Sequence, residues 1–217
     1  MVILGAPGSG KGTQAKLLST RLNFTHISTG DELRRAINSQ TSLGKLAQKF
    51  VQRGKLVPDD LMVGLIKQRL SEQDDTAGYL LDGFPRNIAQ AEKLDEMLTE
   101  SKTRVDLALE LDVPEEIILK RLAGRLICRQ CGADYNEYLS PPRKEETCDR
   151  CGGQVERRAD DQEAIVRKRL EVFRKETHPV QNYYKRQGKL RVLDAHAPAD
   201  EVNARIRALL SDYISSN

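Results

Sequence analysis

The fold is decided by the stretch Met1-Val2-Ile3-Leu4-Gly5-Ala6-Pro7-Gly8-Ser9-Gly10-Lys11-Gly12-Thr13. Its first four residues predict a short buried strand, and the residues after the glycines have helical spacing from Lys11 to Leu22. Glycines let the backbone wrap a phosphate with its N–H groups pointing inward, and the helix N-terminus and a lysine add positive charge. The stretch therefore predicts a P-loop that holds a nucleoside triphosphate through residues Gly8, Ser9, Gly10, Lys11, Gly12 and Thr13.

The two alternatives to a P-loop are weaker. An ordinary glycine-rich turn would not require Lys11 after the last glycine of the loop. A dinucleotide-binding turn would need a glycine where Thr13 stands. One feature departs from the common pattern, because Gly12 occupies the position of the hydroxyl residue that usually holds Mg²⁺. We therefore expect magnesium to be held less directly, through water.

Composition sets broad limits on the protein. The chain has 217 residues, of which 39% are hydrophobic and 31% charged, and this profile predicts a globular protein. No apolar run approaches the roughly 20 residues that span a bilayer, and no signal peptide is visible, so we expect a cytoplasmic protein without a membrane partner. The formal net charge of +3 is too small to indicate a nucleic-acid partner.

Strand-like and helix-like stretches alternate along the chain. Besides residues 1–4, the expected strands are 26–28, 79–82, 105–111 and 190–193, and the expected helices include 60–71, 87–99, 114–122 and 161–187. This order predicts an α/β fold with a parallel sheet covered on both faces. Ligands bind such sheets at the carboxyl ends of the strands, where Thr29, Asp82 and Asp112 are expected.

Two stretches interrupt this alternation. Residues 30–57 are polar and helical, and residues 124–160 are loop-rich and contain every cysteine: Cys128, Cys131, Cys148 and Cys151. Two Cys-x-x-Cys pairs at this spacing are typical of a structural zinc site with four thiolate ligands. Two disulfides, an iron site or a zinc ribbon that binds nucleic acid are the alternatives, and the first two are less expected in a cytoplasmic chain.

Several motifs together resemble the adenylate kinases, and among them the long bacterial type with a zinc-binding lid. They are the P-loop, Ser28-Thr29-Gly30-Asp31 with Arg34, Lys55-Leu56-Val57, Leu81-Asp82-Gly83-Phe84-Pro85-Arg86, and Asp160-Asp161-Gln162 with Arg167 and Arg169. The resemblance covers essentially the whole chain. It implies a five-stranded P-loop core domain (1–27, 58–123 and 162–217), a flap that binds the nucleoside monophosphate (28–57) and a lid (124–161).

The resemblance also implies a site for each of two nucleotides. Residues expected to contact AMP are Thr29, Arg34, Lys55, Leu56, Val57, Gly83, Phe84, Pro85, Arg86, Gln90, Arg158 and Arg169. Besides the P-loop, residues expected to contact ATP are Arg121, Arg125, Asp134, Tyr135 and Ala197. Gln90 suits an adenine because an amide both donates and accepts, although a solvated glutamine is the alternative. Tyr135 is expected either to stack on the nucleotide or only to pack.

Catalysis is assigned to charged groups. Arginine forks fit phosphate oxygens, so Arg86, Arg121, Arg125, Arg158 and Arg169 are expected to act together with Lys11, although any one of them alone could be an ordinary surface residue. Asp82 resembles the carboxylate that orients Mg²⁺, the alternative being a helix cap. A phosphate nucleophile needs no general base, and we expect His26, His178 and His196 to be structural or surface residues.

The implied reaction is reversible phosphoryl transfer from ATP to AMP, giving two ADP. The expected cofactors are Mg²⁺ with ATP and a structural Zn²⁺ in the lid, and a monomer is expected because one chain supplies both sites. Two alternatives remain at this point. One is a kinase for another nucleoside monophosphate, such as UMP, CMP or GMP. The other is a non-catalytic nucleotide sensor or zinc-ribbon protein.

Overall fold

A computed structural model describes residues 1–72 and 78–215, with side chains as far as Ser211. In these residues the strands are β1 (Val2–Leu4), β2 (Thr25–Ser28), β3 (Tyr79–Asp82), β4 (Ala108–Asp112), β5 (Arg125–Cys128), β6 (Asp134–Asn136), β7 (Val155–Arg157) and β8 (Leu190–Asp194). The α-helices are α1 (Lys11–Leu22), α2 (Thr29–Asn38), α3 (Ser42–Val51), α4 (Asp59–Ser71), α5 (Ile88–Glu100), α6 (Glu115–Ala123), α7 (Glu163–Val172), α8 (Pro179–Arg186) and α9 (Ala199–Ser215). None of the described helices is both long enough and apolar enough to cross a lipid bilayer.

A five-stranded sheet forms the centre of the molecule. Its strand order is β2-β3-β1-β4-β8, and every neighbouring pair is parallel. Parallel neighbours require crossover connections, which the helices between the strands provide. The predicted α/β fold with a parallel five-stranded sheet is therefore confirmed.

Both faces of the sheet are buried under helices. Val2, Leu4 and Ala108 belong to one apolar cluster, whereas Ile3 and Leu109 belong to the other. Side chains alternate between the faces of a strand, so neighbouring residues of one strand enter different clusters. With both faces covered, the carboxyl ends of the strands form the edge at which the chain can bind a ligand.

Residues 125–157 contain a second, separate sheet. Its order is β6-β5-β7, and both pairs are antiparallel. The buried cluster beneath it is small, consisting of Cys128, Ala133, Cys148 and Val155 with Leu126 and Tyr135 packed against them. A core of this size supplies little hydrophobic stabilisation by itself.

Two predicted elements differ from the structure. The helical stretch expected over 161–187 is not one regular α-helix: a 3₁₀ turn (Ala159–Asp161) precedes α7, and a π-helical turn (Phe173–Thr177) lies between α7 and α8, although the backbone stays right-handed helical through this junction. Pro179 has no N–H with which to continue the regular hydrogen-bond pattern, and it stands at the first turn of α8, directly after the π-helical turn. The fourth strand begins at Ala108 rather than at residue 105.

Helices α2 and α3 cross at very short distance where Gly44 lies. A Cβ atom at Gly44 would stand 1.9 Å from the carbonyl oxygen of Ala36 in α2. The close approach therefore requires a residue without a side chain. Gly64 in α4 is different, since nothing lies within 4 Å of a Cβ placed there.

We expect Gly44→Ala to destabilise the protein by about 1–3 kcal/mol, because the backbones of α2 and α3 must separate. Gly64→Ala is the matched control, and we expect it to stabilise the protein by about 0.5–1 kcal/mol, because alanine favours a helix interior over glycine. Chemical denaturation of both variants measures the two effects. A Gly44→Ala protein as stable as the parent would contradict the close packing of the two helices.

Candidate active site

The loop between β1 and α1 has the features of an anion-binding site. Gly8 and Gly10 have φ values of +87° and +96°, a region that residues with side chains rarely adopt. The loop ends at the N-terminus of α1, where backbone N–H groups are unpaired and the helix dipole is positive. Lys11 Nζ donates to the carbonyl oxygens of Gly5, at 2.6 Å, and Ala6, at 2.8 Å.

Burial lowers the pKa of Lys11 to about 8, although the nearby Asp82 favours its charged form. The ammonium group is therefore poorly solvated in this structure. A phosphate bound beside Lys11 would stabilise the charged ammonium group through charge-assisted hydrogen bonds.

Asp82 ends β3 directly beside the loop. Its side chain is buried, and a Cβ atom at Gly12 would lie only 3.4 Å from its Oδ2 atom. His26 Nε2 is 3.6 Å from the same oxygen. Burial disfavours the charged carboxylate, but His26 and Lys11 outweigh burial and lower the pKa of Asp82. His26, expected to be structural or on the surface, thus lies against the carboxylate of the site.

A cluster of arginines and aspartates lies where the chain returns from the second sheet. Arg125 Nε donates to Asp161 Oδ2 at 2.6 Å, and Arg158 Nη2 donates to Asp160 Oδ2 at 2.9 Å. Arg169 Nη1 donates to Asp161 Oδ1 at 3.0 Å. Burial disfavours the charged form of Asp160, but Arg158 and Arg169 outweigh it and lower the pKa of this carboxyl. Three predicted arginines are thus held together in one cluster.

Arg34 and Arg86 come from α2 and from the loop after β3. Burial lowers the pKa of each, and both lie close enough to the cluster for Arg158 to lower it further. Arg34 is paired with Asp31 on α2, and Arg86 Nε donates to the carbonyl oxygen of Gly83 at 2.7 Å. Thr29 Oγ1 donates to the same carbonyl at 2.8 Å. The residues from the end of β2 and the end of β3 therefore hold one another in place.

Arg121 connects the P-loop to the loop after β8. Its guanidinium donates to the carbonyl oxygens of Ser9, at 3.3 Å, Ala195, at 3.1 Å, and Ala197, at 3.5 Å. Arg121 and Ala197 are 76 residues apart in the sequence, and both were predicted to contact ATP. The structure places them side by side next to the P-loop.

Gln90 is buried, with 1% of its surface exposed, so the alternative of a solvated glutamine is wrong. Its Oε1 accepts from the backbone N–H of Arg86 at 2.8 Å, and its Nε2 donates to Asp59 Oδ1 at 2.6 Å. Asn87 caps α5 as a side-chain acceptor from the N–H of Gln90 at 2.8 Å.

One large cavity brings most of the predicted residues together. Its lining includes Gly8, Ser9, Gly10, Lys11, Gly12, Thr13, Arg34, Lys55, Leu56, Asp82, Gly83, Pro85, Arg86, Arg121, Arg125, Asp134, Tyr135, Arg158, Arg169 and Ala197. Val57 and Gln90 instead line a small adjoining pocket. Thr29 and Phe84 line neither of these two cavities. Phe84 is almost fully buried in the apolar core.

The four cysteines meet beside the second sheet. Their Sγ atoms all lie within 4.8 Å of one another. Cys128 and Cys151 are 3.5 Å apart, and Cys131 and Cys148 are 3.6 Å apart. Four thiolates about 2.3 Å from a tetrahedral zinc ion would be about 3.8 Å apart, so this geometry fits the metal.

Tyr135 contacts this thiol cluster through its hydroxyl group. The hydroxyl lies 3.3 Å from Cys148 Sγ and accepts from the N–H of Asp149 at 2.8 Å, so the O–H donates to the sulfur. This hydrogen bond lowers the pKa of the Cys148 thiol and favours the thiolate that a metal binds. The same residue lines the cavity, so Tyr135 connects the cavity wall to the cysteines.

The second sheet also contacts the central domain directly. Asp134 in β6 forms an ion pair with Lys16 in α1, and Lys16 Nζ donates to the carbonyl oxygen of Gly132 at 3.2 Å. Residues 132–134 are thereby drawn against the helix that follows the P-loop.

Sequence reasoning gave no role to several residues that shape the site: Lys16, His26, Asp59, Glu110, Asp160 and Asp161. Asp160 and Asp161 belong to a recognised motif, so the sequence could have predicted that their carboxylates pair with the arginines. Glu110 was also detectable, as a charged residue inside the apolar strand Ala-Leu-Glu-Leu-Asp. Burial raises the pKa of Glu110 to about 7. Lys16 and Asp59 gave no local signal, because their partners are distant in sequence.

Comparisons with known proteins agree with this geometry. The adenylate kinase family model matches residues 3–189. The chain is 50% identical to the adenylate kinase of Thermodesulfovibrio yellowstonii over 97% of its length and 98% of the relative's. It is 46% identical to those of Methanocella arvoryzae (96% of this chain and 97% of the relative) and Syntrophobacter fumaroxidans (97% and 99%). A P-loop and a set of half-buried arginines line one cavity, and matches of this extent show that the chain belongs to the adenylate kinase family.

Proposed function

We propose that this enzyme transfers the γ-phosphoryl group of ATP reversibly to AMP and forms two ADP. The observation that carries the proposal is that the P-loop and the arginines at positions 34, 86, 125, 158 and 169 line one cavity. Direct transfer requires two nucleotides to be bound at once with their reacting oxygens in line. A cavity lined by a P-loop and also by five arginines outside it suits that arrangement, whereas a sensor of one nucleotide needs only one phosphate site.

The donor site in this proposal is the P-loop side of the cavity. Residues Gly8 to Thr13 supply backbone N–H groups for the triphosphate, and Lys11 leaves the carbonyls of Gly5 and Ala6 to contact the outer phosphates. Arg121 and the backbone of Ala197 would lie along the nucleoside. Asp134 and Tyr135 would close over it from the second sheet.

The acceptor site in this proposal lies on the other side. Its phosphate-binding groups are Arg34, Arg86, Arg158 and Arg169, and the remaining contacts are Thr29, Lys55, Leu56, Val57, Gly83, Phe84, Pro85 and Gln90. The buried Phe84 would act by fixing its neighbours rather than by touching the nucleotide.

Catalysis in this proposal is electrostatic. The transferred group spreads negative charge over its oxygens, and fixed cations in a buried cavity stabilise that charge strongly. Asp160 and Asp161 orient Arg125, Arg158 and Arg169, so the cations need not rearrange during the reaction. Asp82 beside Gly12 is the group that would hold Mg²⁺, directly or through water. When bound, the metal neutralises and orients the phosphates of ATP.

We also propose the division of the chain into a core (1–27, 58–123 and 162–217), a flap (28–57) and a lid (124–161). The separate sheet of residues 125–157 supports the lid assignment. Closure of a lid excludes water, which would otherwise compete with AMP as acceptor. A monomer in the cytoplasm stays our prediction, and the placement of both groups of arginines on one chain supports the monomer.

The decisive experiment supplies Mg-ATP with AMP, UMP, CMP or GMP and measures diphosphate formation. We expect AMP to be the best acceptor. Faster turnover of UMP than of AMP would favour another nucleoside monophosphate kinase, and no turnover with any acceptor would favour a nucleotide sensor.

In the same assay we expect Lys11→Met to lower turnover by about a hundredfold or more, because a preorganised cation at the phosphates is lost. Lys67→Met makes the same chemical change on the exposed side of α4 and should leave turnover unchanged. Thermal melting should show little loss of stability in either variant. An equal loss of folding and turnover in Lys11→Met would contradict the phosphate-binding role.

We expect Asp134→Asn to loosen the lid, because the ion pair with Lys16 links the lid to α1. A half-exposed pair contributes about 0.2–1 kcal/mol, so lid opening should increase by up to about fivefold. Hydrogen exchange of β5 to β7 measures this opening in the nucleotide-free protein. Glu156→Gln removes the pair with Arg129, which lies within the lid, and is the control. Equal exchange in the parent and Asp134→Asn would show that this contact does not hold the lid.

We propose that the four cysteines bind a structural Zn²⁺. Cys128→Ser should release the metal, measured by elemental analysis, and lower the melting temperature, because the small lid core lacks another cross-link. Much of the activity should remain at low temperature, since none of the cysteines lines the cavity. A parent protein purified without zinc would refute the metal site.

A further inference from the structure

The side-chain amide of Gln90 has only one possible orientation in this structure. One neighbour is the backbone N–H of Arg86, which can only donate, so it must face Oε1. The other neighbour is the carboxylate of Asp59, which only accepts, so it must face Nε2. Rotating the amide by half a turn would place donor against donor and acceptor against acceptor. The two flanking groups therefore determine the direction of the amide.

Asp59 is itself held firmly. Asn87 Nδ2 donates to both of its carboxylate oxygens, at 3.0 Å and 3.1 Å. Asp59 is also the first residue of α4, where the helix N-terminus favours a negative charge. The carboxylate that orients Gln90 is thus fixed by a second side chain and by its own helix.

We infer that Asp59 is a positioning residue that sets the base specificity of the acceptor site. An amide held in this way retains one N–H and one oxygen lone pair for a ligand. Gln90 presents them to the small pocket that Leu33, Val57 and Met62 also line. The inference rests on the proposed binding of AMP, with its base in this pocket.

The fixed direction matters because purine edges differ in polarity. Adenine offers a donor at N6 and an acceptor at N1, whereas hypoxanthine and guanine offer an acceptor at O6 and a donor at N1. An amide that could rotate would accept either edge. An amide that cannot rotate leaves the wrong edge with mismatched, buried polar groups, and such a mismatch is strongly disfavoured.

Asp60 provides a matched control on the same helix turn. It also adds negative charge to the N-terminus of α4, but its side chain is exposed. A general effect of charge on the helix would therefore be shared by Asp59 and Asp60. An effect on the orientation of Gln90 would belong to Asp59 alone.

The test compares Asp59→Ala, Asp59→Ser, Asp60→Ala and Gln90→Ala with the parent. The quantity measured is the ratio of kcat/KM for AMP to kcat/KM for IMP, the hypoxanthine nucleotide, at saturating Mg-ATP. Serine suits a helix N-terminus but is too short to reach Gln90, so Asp59→Ser preserves the test if Asp59→Ala folds poorly. Thermal melting of each variant reports folding independently.

We expect both Asp59 variants to lower the AMP/IMP ratio by about tenfold or more, while the KM for ATP stays unchanged. Asp60→Ala should keep the parent ratio. An unchanged ratio in the Asp59 variants, with a lowered ratio in Gln90→Ala, would overturn the inference but not the proposed function. Equal loss in Asp59→Ala and Asp60→Ala would overturn it as well. Failure of the proposed function differs, since the parent itself would then turn over no acceptor at all, or would turn over UMP, CMP or GMP faster than AMP.

Discussion

The structure depends on keeping several cations close together in a buried cavity before any phosphate is present. Arg125, Arg158 and Arg169 would repel one another strongly in an environment of low polarity. Asp160 and Asp161 remove much of that repulsion, and their short hydrogen bonds with the arginines fix each fork in a defined direction. A buried charge that loses its partner is costly, so these two aspartates are as important to the cavity as the arginines themselves.

The proposed zinc site in the lid bears on the same cluster of arginines and aspartates. Asp160 and Asp161 lie immediately after β7, where the chain leaves the second sheet. Their position depends on the order of the small sheet that precedes them in the chain. The apolar cluster of that sheet contains few residues. In the proposed zinc site, four cysteine sulfurs within 4.8 Å of one another supply the cross-link that this small core lacks. The hydrogen bond from Tyr135 to Cys148 then connects that cross-link to the wall of the cavity.

The parts of the fold that were predictable are those encoded by neighbouring residues. The P-loop, the five strands of the central sheet and the paired cysteines each follow from a local pattern of glycine, apolar residues or spacing. The π-helical turn between α7 and α8 has no counterpart in the sequence prediction, which places a helical stretch over 161–187 and draws nothing from Pro179. The ion pair of Lys16 with Asp134 spans 118 residues and the bond of Gln90 with Asp59 spans 31, so each exists only after the chain has folded. Lys16 and Asp59, which hold residues distant in sequence, were therefore not predictable, whereas residues that carry a motif were.

Affinity and specificity in the proposed acceptor site come from different residues. Arginines attract any phosphate, so the cationic wall of the cavity cannot distinguish one nucleotide from another. Discrimination has to come from the base, and a base is read by few hydrogen bonds of fixed direction. Gln90 can read an edge only if its amide does not rotate, and the two groups that prevent rotation are a backbone N–H and the carboxylate of Asp59. Asp59, the residue inferred to set the base specificity, therefore lies outside every motif recognised in the sequence.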